Sequence, residues 1–150
     1  MGKLTDPGKL GAIPDNFIVR PSMPQLEILQ RAALFISHGG MNSVNESLFY
    51  GVPLVVIPQQ MEQLLNGRMV ERAGAGILLG EKPPYGRIQP NQMRQATDKI
   101  LHNPRYQQAA KKIGDTFHHA GGFRRAADLV EAMQAIRAPV LPYDLFLLLP

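Results

Sequence analysis

The chain is predicted to be an α/β protein, a parallel sheet wrapped by helices. Three observations predict this. Short apolar runs at residues 34–37, 54–57 and 76–79 alternate with longer stretches of helical periodicity, the pattern of strand–helix–strand units. The run Leu54 to Ile57 is uncharged and rich in β-branched residues, with no polar alternation, as expected of a strand covered on both faces. The run ending at Ser37 leads through Gly39-Gly40 straight into a helical pattern. In such folds, ligands sit at the carboxyl ends of the strands.

Taken in order, Asn16 to Val19 is expected as a short strand. Pro24 to Gln30 is expected as a helix with Leu26, Ile28 and Leu29 turned inward. Leu34 to Ser37 is a strand, followed by a helix from Asn42 to Tyr50 that Gly51 ends. After the strand at 54–57, Met61, Leu65, Met69 and Ala73 recur every four residues and predict the buried face of a helix stopping at Gly74. Gly76 to Leu79 is a further strand, and Pro83-Pro84-Tyr85-Gly86 a loop. Pro90 opens a helix carrying Met93, Ala96, Ile100 and Leu101, which Asn103-Pro104 ends. Tyr106, Ala109, Ile113 and Phe117 make one more stripe. Beyond Gly121-Gly122, a last helix places Ala126, Leu129, Val130, Met133 and Ile136 on one side.

The chemistry concentrates between Phe35 and Gln63. His38-Gly39-Gly40-Met41-Asn42-Ser43 builds a turn at a helix start. The first N–H groups of a helix lack internal partners and carry the positive end of its dipole. Glycines let the backbone turn sharply and approach a ligand. His38, Asn42 and Ser43 add side-chain donors, so the turn suits a phosphate. Glu46 follows Ser43 by three residues, and a carboxylate there can accept two hydrogen bonds from a ribose diol. Ser43-x-x-Glu46 also has the spacing of a capping box, in which both side chains serve the helix's own N–H groups. The residues alone leave both readings open.

From Met23-Pro24-Gln25 through Ser37-His38-Gly39-Gly40-Met41-Asn42-Ser43, Glu46, Gly51-Val52-Pro53 and Pro58 to Glu62-Gln63, the chain resembles the donor-binding signature of UDP-dependent glycosyltransferases of the GT-B fold. That group includes bacterial macrolide and flavonoid glycosyltransferases. About ten defined positions at fixed offsets make the motif specific, and the similarity extends from about Pro14 to Ile136. The resemblance implies a Rossmann-like parallel sheet flanked by helices, the incomplete C-terminal domain of a GT-B glycosyltransferase. It implies that His38, Gly39 and Gly40 contact the diphosphate, with Asn42 and Ser43 adding hydrogen bonds. Glu46 would hold the ribose hydroxyls, Gln25 would lie beside the base or ribose, and Glu62 and Gln63 would hold sugar hydroxyls. The tryptophan that stacks on uracil in the family falls at Ser22, which leaves uridine and thymidine both open. A lost stacking face removes about 1–3 kcal/mol.

The resemblance further implies transfer of a hexose from a nucleotide sugar to a small hydrophobic acceptor, with the UDP-sugar a substrate and no metal or other cofactor required. The acceptor hydroxyl would be deprotonated by a histidine of an N-terminal acceptor domain, oriented by an aspartate. Neither can be assigned here, so no catalytic residue is expected in this chain. The partner implied is that acceptor domain, in cis or in trans. A binding fragment without turnover is the alternative, as is a donor domain like that of the cell-wall N-acetylglucosaminyltransferase, which shares a Gly-Gly…Glu…Gly-x-Pro pattern. The expected division is a linker or truncated start at 1–13, a partial donor-binding domain at 14–137, and an unassigned tail at 138–150.

Composition bounds the rest. The 150 residues, 45% hydrophobic, suffice for one core. The net charge of +4 is carried by scattered Lys and Arg, and Lys111-Lys112 and Arg124-Arg125 read as solvated helix faces, so no nucleic-acid partner is expected. Absence of cysteine suits a cytosolic protein, the location expected here, but equally suits others. Residues 1–11 are polar and glycine-rich rather than a signal peptide. The run Leu145-Phe146-Leu147-Leu148-Leu149 is far short of the ~20 residues that span a bilayer. His118-His119 is a conceivable metal pair, but neighbours on a helix point about 100° apart, so no metal is assigned to it.

Overall fold

A computed structural model describes residues 11–80, 82 and 87–135. The chain divides into two compact units, residues 1–114 and 115–150.

The first unit holds helix α1 (Gln25–Leu29), strand β1 (Phe35–Ser37), helix α2 (Met41–Phe49), strand β2 (Leu54–Val56), helix α3 (Met61–Arg72), strand β3 (Gly76–Leu78) and helix α4 (Pro90–Leu101). The three strands form one parallel sheet in the order β1-β2-β3. Phe35 faces Leu54 across the first pairing, and Leu54 faces Gly76 across the second. The predicted parallel sheet flanked by helices is therefore present.

Strand β2 is the centre of the core, with Leu54, Val55 and Val56 all at 0% exposure. Successive side chains of a strand point to opposite faces, and the packing follows. Val55 packs with Ala96 and Ile100 of α4, while Leu34, Ile57, Ile77 and Leu79 close round them. On the other face, α3 approaches so closely that a Cβ on Gly67 would lie 2.7 Å from Leu78 Cδ1 and 3.0 Å from Val56 Cγ1. A larger residue there would have to displace the Leu78 and Val56 side chains.

That approach corrects the expected face of α3. Met61, Leu65 and Met69 are exposed, and the buried side is Gln63, Leu64, Asn66, Gly67 and Val70. The expected strand over 16–19 is also absent. Pro14 to Phe17 forms a turn, closed by Phe17 N–H donating to the Pro14 carbonyl at 3.0 Å, and Phe17 and Ile18 are exposed. In α1 only Leu29 is buried, and Leu26 and Ile28 face out. Leu101 is exposed as well, whereas Ala96 and Ile100 are buried as expected.

Element ends follow local chemistry. Pro90 occupies the first turn of α4, and Gln89 N–H donates to Gln92 Oε1 at 2.9 Å, satisfying a helix-start donor. Ser47, fully buried, donates to the Val52 carbonyl at 2.9 Å and ties the end of α2 to the start of β2. On the outer side of β3, Leu78 N–H donates to Glu71 Oε1 at 3.2 Å, so a side chain occupies part of that edge.

Helix α5 (Pro104–His119) begins in the first unit, where Ala110 and Gly114 are buried. The second unit contains helix α6 (Gly122–Ala135), on which Leu129, Val130 and Met133 are exposed. Ile136, the 83–86 loop, the 138–150 tail and all but residues 11–13 of the expected linker lie outside the described residues. Among the described residues, no helix is long and apolar enough to cross a membrane.

Candidate functional site

The predicted site residues gather at the carboxyl ends of β1 and β2, where loops lead into α2 and α3. At the first of these, Gly40 is the N-cap of α2, in extended conformation, and no side chain caps the helix. The first ladder bond runs from Val44 N–H to the Gly40 carbonyl at 3.0 Å. The N–H groups of Met41, Asn42 and Ser43 therefore precede the helical ladder and point along its start. Three donors and the dipole's positive end converge there.

Gly39 makes the turn possible. Its φ of +87° lies where L side chains are strained, and a Cβ would meet Val56 Cγ1 at 2.6 Å and the Gln63 carbonyl oxygen at 3.1 Å. Its N–H donates to Ser37 Oγ at 3.2 Å. The exposed His38 ring lies beside the helix start, with Nε2 2.7 Å from where a Cβ on Gly40 would stand. Asn42 is exposed on the first turn.

One turn deeper, the capping-box reading fails. Ser43 is the third residue of α2 rather than its cap, and Glu46 lies a full turn further in. The Glu46 carboxylate instead accepts from Gln25 Nε2 at 2.6 Å, and the same amide lies 3.4 Å from Ser43 Oγ. Gln25, Ser43 and Glu46, 21 positions apart at the extremes, thus form one half-buried polar cluster beside the turn. A carboxylate oxygen engaged by an amide still has lone pairs for a diol.

At the second loop, Gln63 is buried and its Oε1 accepts from Gln59 N–H at 2.8 Å. Its amide oxygen thus supports the loop before α3, while the two amide hydrogens are the donors it could offer a sugar. Glu62 is exposed in the first turn of α3, and its Oε1 accepts from Asn66 Nδ2 at 2.9 Å. The same Asn66 amide donates to the Gly39 carbonyl at 2.9 Å. Asn66 was not among the residues singled out from sequence. Its signal was present, since an asparagine inside an amphipathic helix, four positions after Glu62, has poor helix propensity and needs another reason to be there.

The match with known proteins is extensive. Residues 5–122 match the family described as erythromycin biosynthesis protein CIII-like, C-terminal domain. The chain is 41% identical over 135 residues to the uncharacterized UDP-glucosyltransferase YojK of Bacillus subtilis (strain 168), covering 89% of this chain and 32% of that protein. It is 42% identical over 132 residues to the NDP-glycosyltransferase YjiC of the same organism, covering 88% and 33%. Among solved structures, the calicheamicin glycosyltransferase CalG4 superposes with a TM-score of 0.81 at 29% identity, covering 92% of this chain and 34% of that one. The chain spans about a third of the length of the curated relatives it matches.

Proposed function

Because the chain belongs to the erythromycin biosynthesis protein CIII-like C-terminal domain family, we propose that it is the donor-binding part of a UDP-dependent glycosyltransferase, transferring a hexose from a nucleotide sugar to a small hydrophobic acceptor. The observation that carries the reading is the uncapped start of α2 behind Gly39-Gly40, with the Gln25–Ser43–Glu46 cluster one turn deeper. The diphosphate binds to the N–H groups of Met41 to Ser43, with His38 and Asn42 as side-chain donors. Glu46 accepts from the ribose hydroxyls, with Gln25 holding the carboxylate in place. Glu62 accepts from the sugar, and Gln63 shapes the loop that presents it.

This arrangement favours the departing group. Negative charge grows on the diphosphate as its bond to the anomeric carbon breaks, and donors fixed in advance stabilise that charge more in the transition state than in the ground state. Activation of the acceptor hydroxyl belongs to the acceptor domain, supplied in cis or in trans. Residues 14–137 constitute the donor part, working in the cytoplasm.

Calorimetry of the chain with UDP and with uridine tests the site. UDP is expected to bind more tightly, because most of the fixed donors face the diphosphate. His38→Ala is expected to lose about 1.5–3 kcal/mol of UDP binding, the range for a hydrogen bond to a charged group. Equal affinity for UDP and uridine would overturn the reading.

A further inference from the structure

We infer that Asn66 is a positioning residue that locks the Glu62 carboxylate to the phosphate turn, so that one buried amide sets where the sugar's hydroxyls are gripped relative to the diphosphate. The inference rests on the donor-site reading above.

Asn66 is 3% exposed, and its Nδ2 is within 2.9 Å of both the Gly39 carbonyl and Glu62 Oε1. An amide nitrogen carries two hydrogens in one rigid plane. Fixing one hydrogen on Gly39 therefore fixes the direction of the other, and with it the carboxylate that accepts it. The Gly39 bond has a second effect. In a trans peptide the carbonyl and the following N–H point in opposite directions. Holding the Gly39 carbonyl toward α3 therefore directs the Gly40 N–H away from α3.

Neither helix propensity nor packing calls for an asparagine here. It is a mediocre helix former, and a buried polar group is unfavourable unless fully bonded. Leu64 and Val70 on the same face show that this side of α3 accommodates aliphatic residues. What the amide adds is the connection between two loops that reach the site from different strands. Glu62 is otherwise a solvent-exposed carboxylate on a flexible stem, and holding it in one rotamer removes freedom that ligand binding would have to quench. Its second oxygen remains for the sugar.

The test compares UDP with UDP-glucose by titration calorimetry on the wild-type chain, Asn66→Ala, Glu62→Ala and the double variant. Asn66→Ala is expected to weaken UDP-glucose about ten-fold more than UDP, the loss of one well-placed bond from a charged acceptor. Glu62→Ala is expected to show the same selective loss, and the double variant no greater selective loss than Glu62→Ala alone, because Asn66 reaches the sugar only through Glu62. A merely structural asparagine would weaken both ligands equally. An unchanged UDP-glucose to UDP ratio in Asn66→Ala, or losses that add in full, would overturn the inference. Should Asn66→Ala not fold, Asn66→Leu keeps the side-chain volume without either donor and carries the same comparison. Glu62→Ala changes only an exposed residue, and an unchanged ratio there is equally fatal. A wild-type chain that binds neither ligand would instead refute the donor-site reading itself.

Discussion

Replacement of Gly39 by alanine is expected to be the most damaging small change in the phosphate turn. Two terms add. The residue has φ +87°, and a non-glycine residue in left-handed conformation loses roughly 1–2 kcal/mol. The new Cβ would also stand 2.6 Å from Val56 Cγ1 and 3.1 Å from the Gln63 carbonyl oxygen. Val56 is fully buried in the central strand and cannot step aside, so overpacking adds about 1–3 kcal/mol. The expected loss is therefore about 2–5 kcal/mol. Gly74 supplies the control. It has φ +70°, yet its Cβ would meet only Ala109 Cβ, at an ordinary 3.8 Å. Gly74→Ala should show the conformational term alone, about 1–2 kcal/mol. Urea unfolding of the three proteins, followed by circular dichroism, measures the difference. If Gly39→Ala and Gly74→Ala were equally destabilised, the close approach of the turn to β2 would be wrong, and the geometry argued for the phosphate site with it.

Other expectations are simpler. Glu46→Gln should change stability by no more than about 1 kcal/mol, since the residue caps nothing, while UDP affinity falls by more; an unfolding midpoint that drops with UDP binding intact would contradict its ribose role. Met61→Gln and Leu65→Gln, both on the exposed side of α3, should each stay within about 0.5 kcal/mol of wild type in denaturant titration; a loss above 2 kcal/mol would mean the helix is turned the other way. The 150-residue chain incubated with UDP-glucose and a phenolic or macrolide acceptor should yield no glycoside by mass spectrometry, and product should appear once a matching N-terminal acceptor domain is supplied. Robust transfer by the chain alone would place the catalytic base among its own residues.

The order of strands and helices, and the turn that opens α2, were determined by local pattern. Short apolar runs placed β1, β2 and β3 to within a residue; the signal is purest at β2, because a strand buried at every position has to be apolar throughout. Gly39, Gly51 and Gly74 marked the turns, and all three adopt positive φ. What period alone left undecided was which face of α3 is buried. Met61, Leu65 and Met69 form as regular a stripe as Leu64, Gly67 and Val70, and the tertiary structure chose the second. The deciding residue is Gly67, whose missing side chain lets α3 come within contact of Val56 and Leu78; hydrophobicity counting gives a glycine no weight. The segment 16–19 has strand-like residues, yet a strand exists only through a ladder partner, and a turn at Pro14 to Phe17 forms instead. Polar chemistry divides in the same way. Ser43 and Glu46 have capping-box spacing in the sequence, and only the position of the helix start at Gly40 and the arrival of Gln25 from α1 removed that reading. Asn66 joins Gly39, 27 residues away, to Glu62, four residues away. A hydrogen bond between distant segments depends on where folding brings the backbone, which no local pattern encodes.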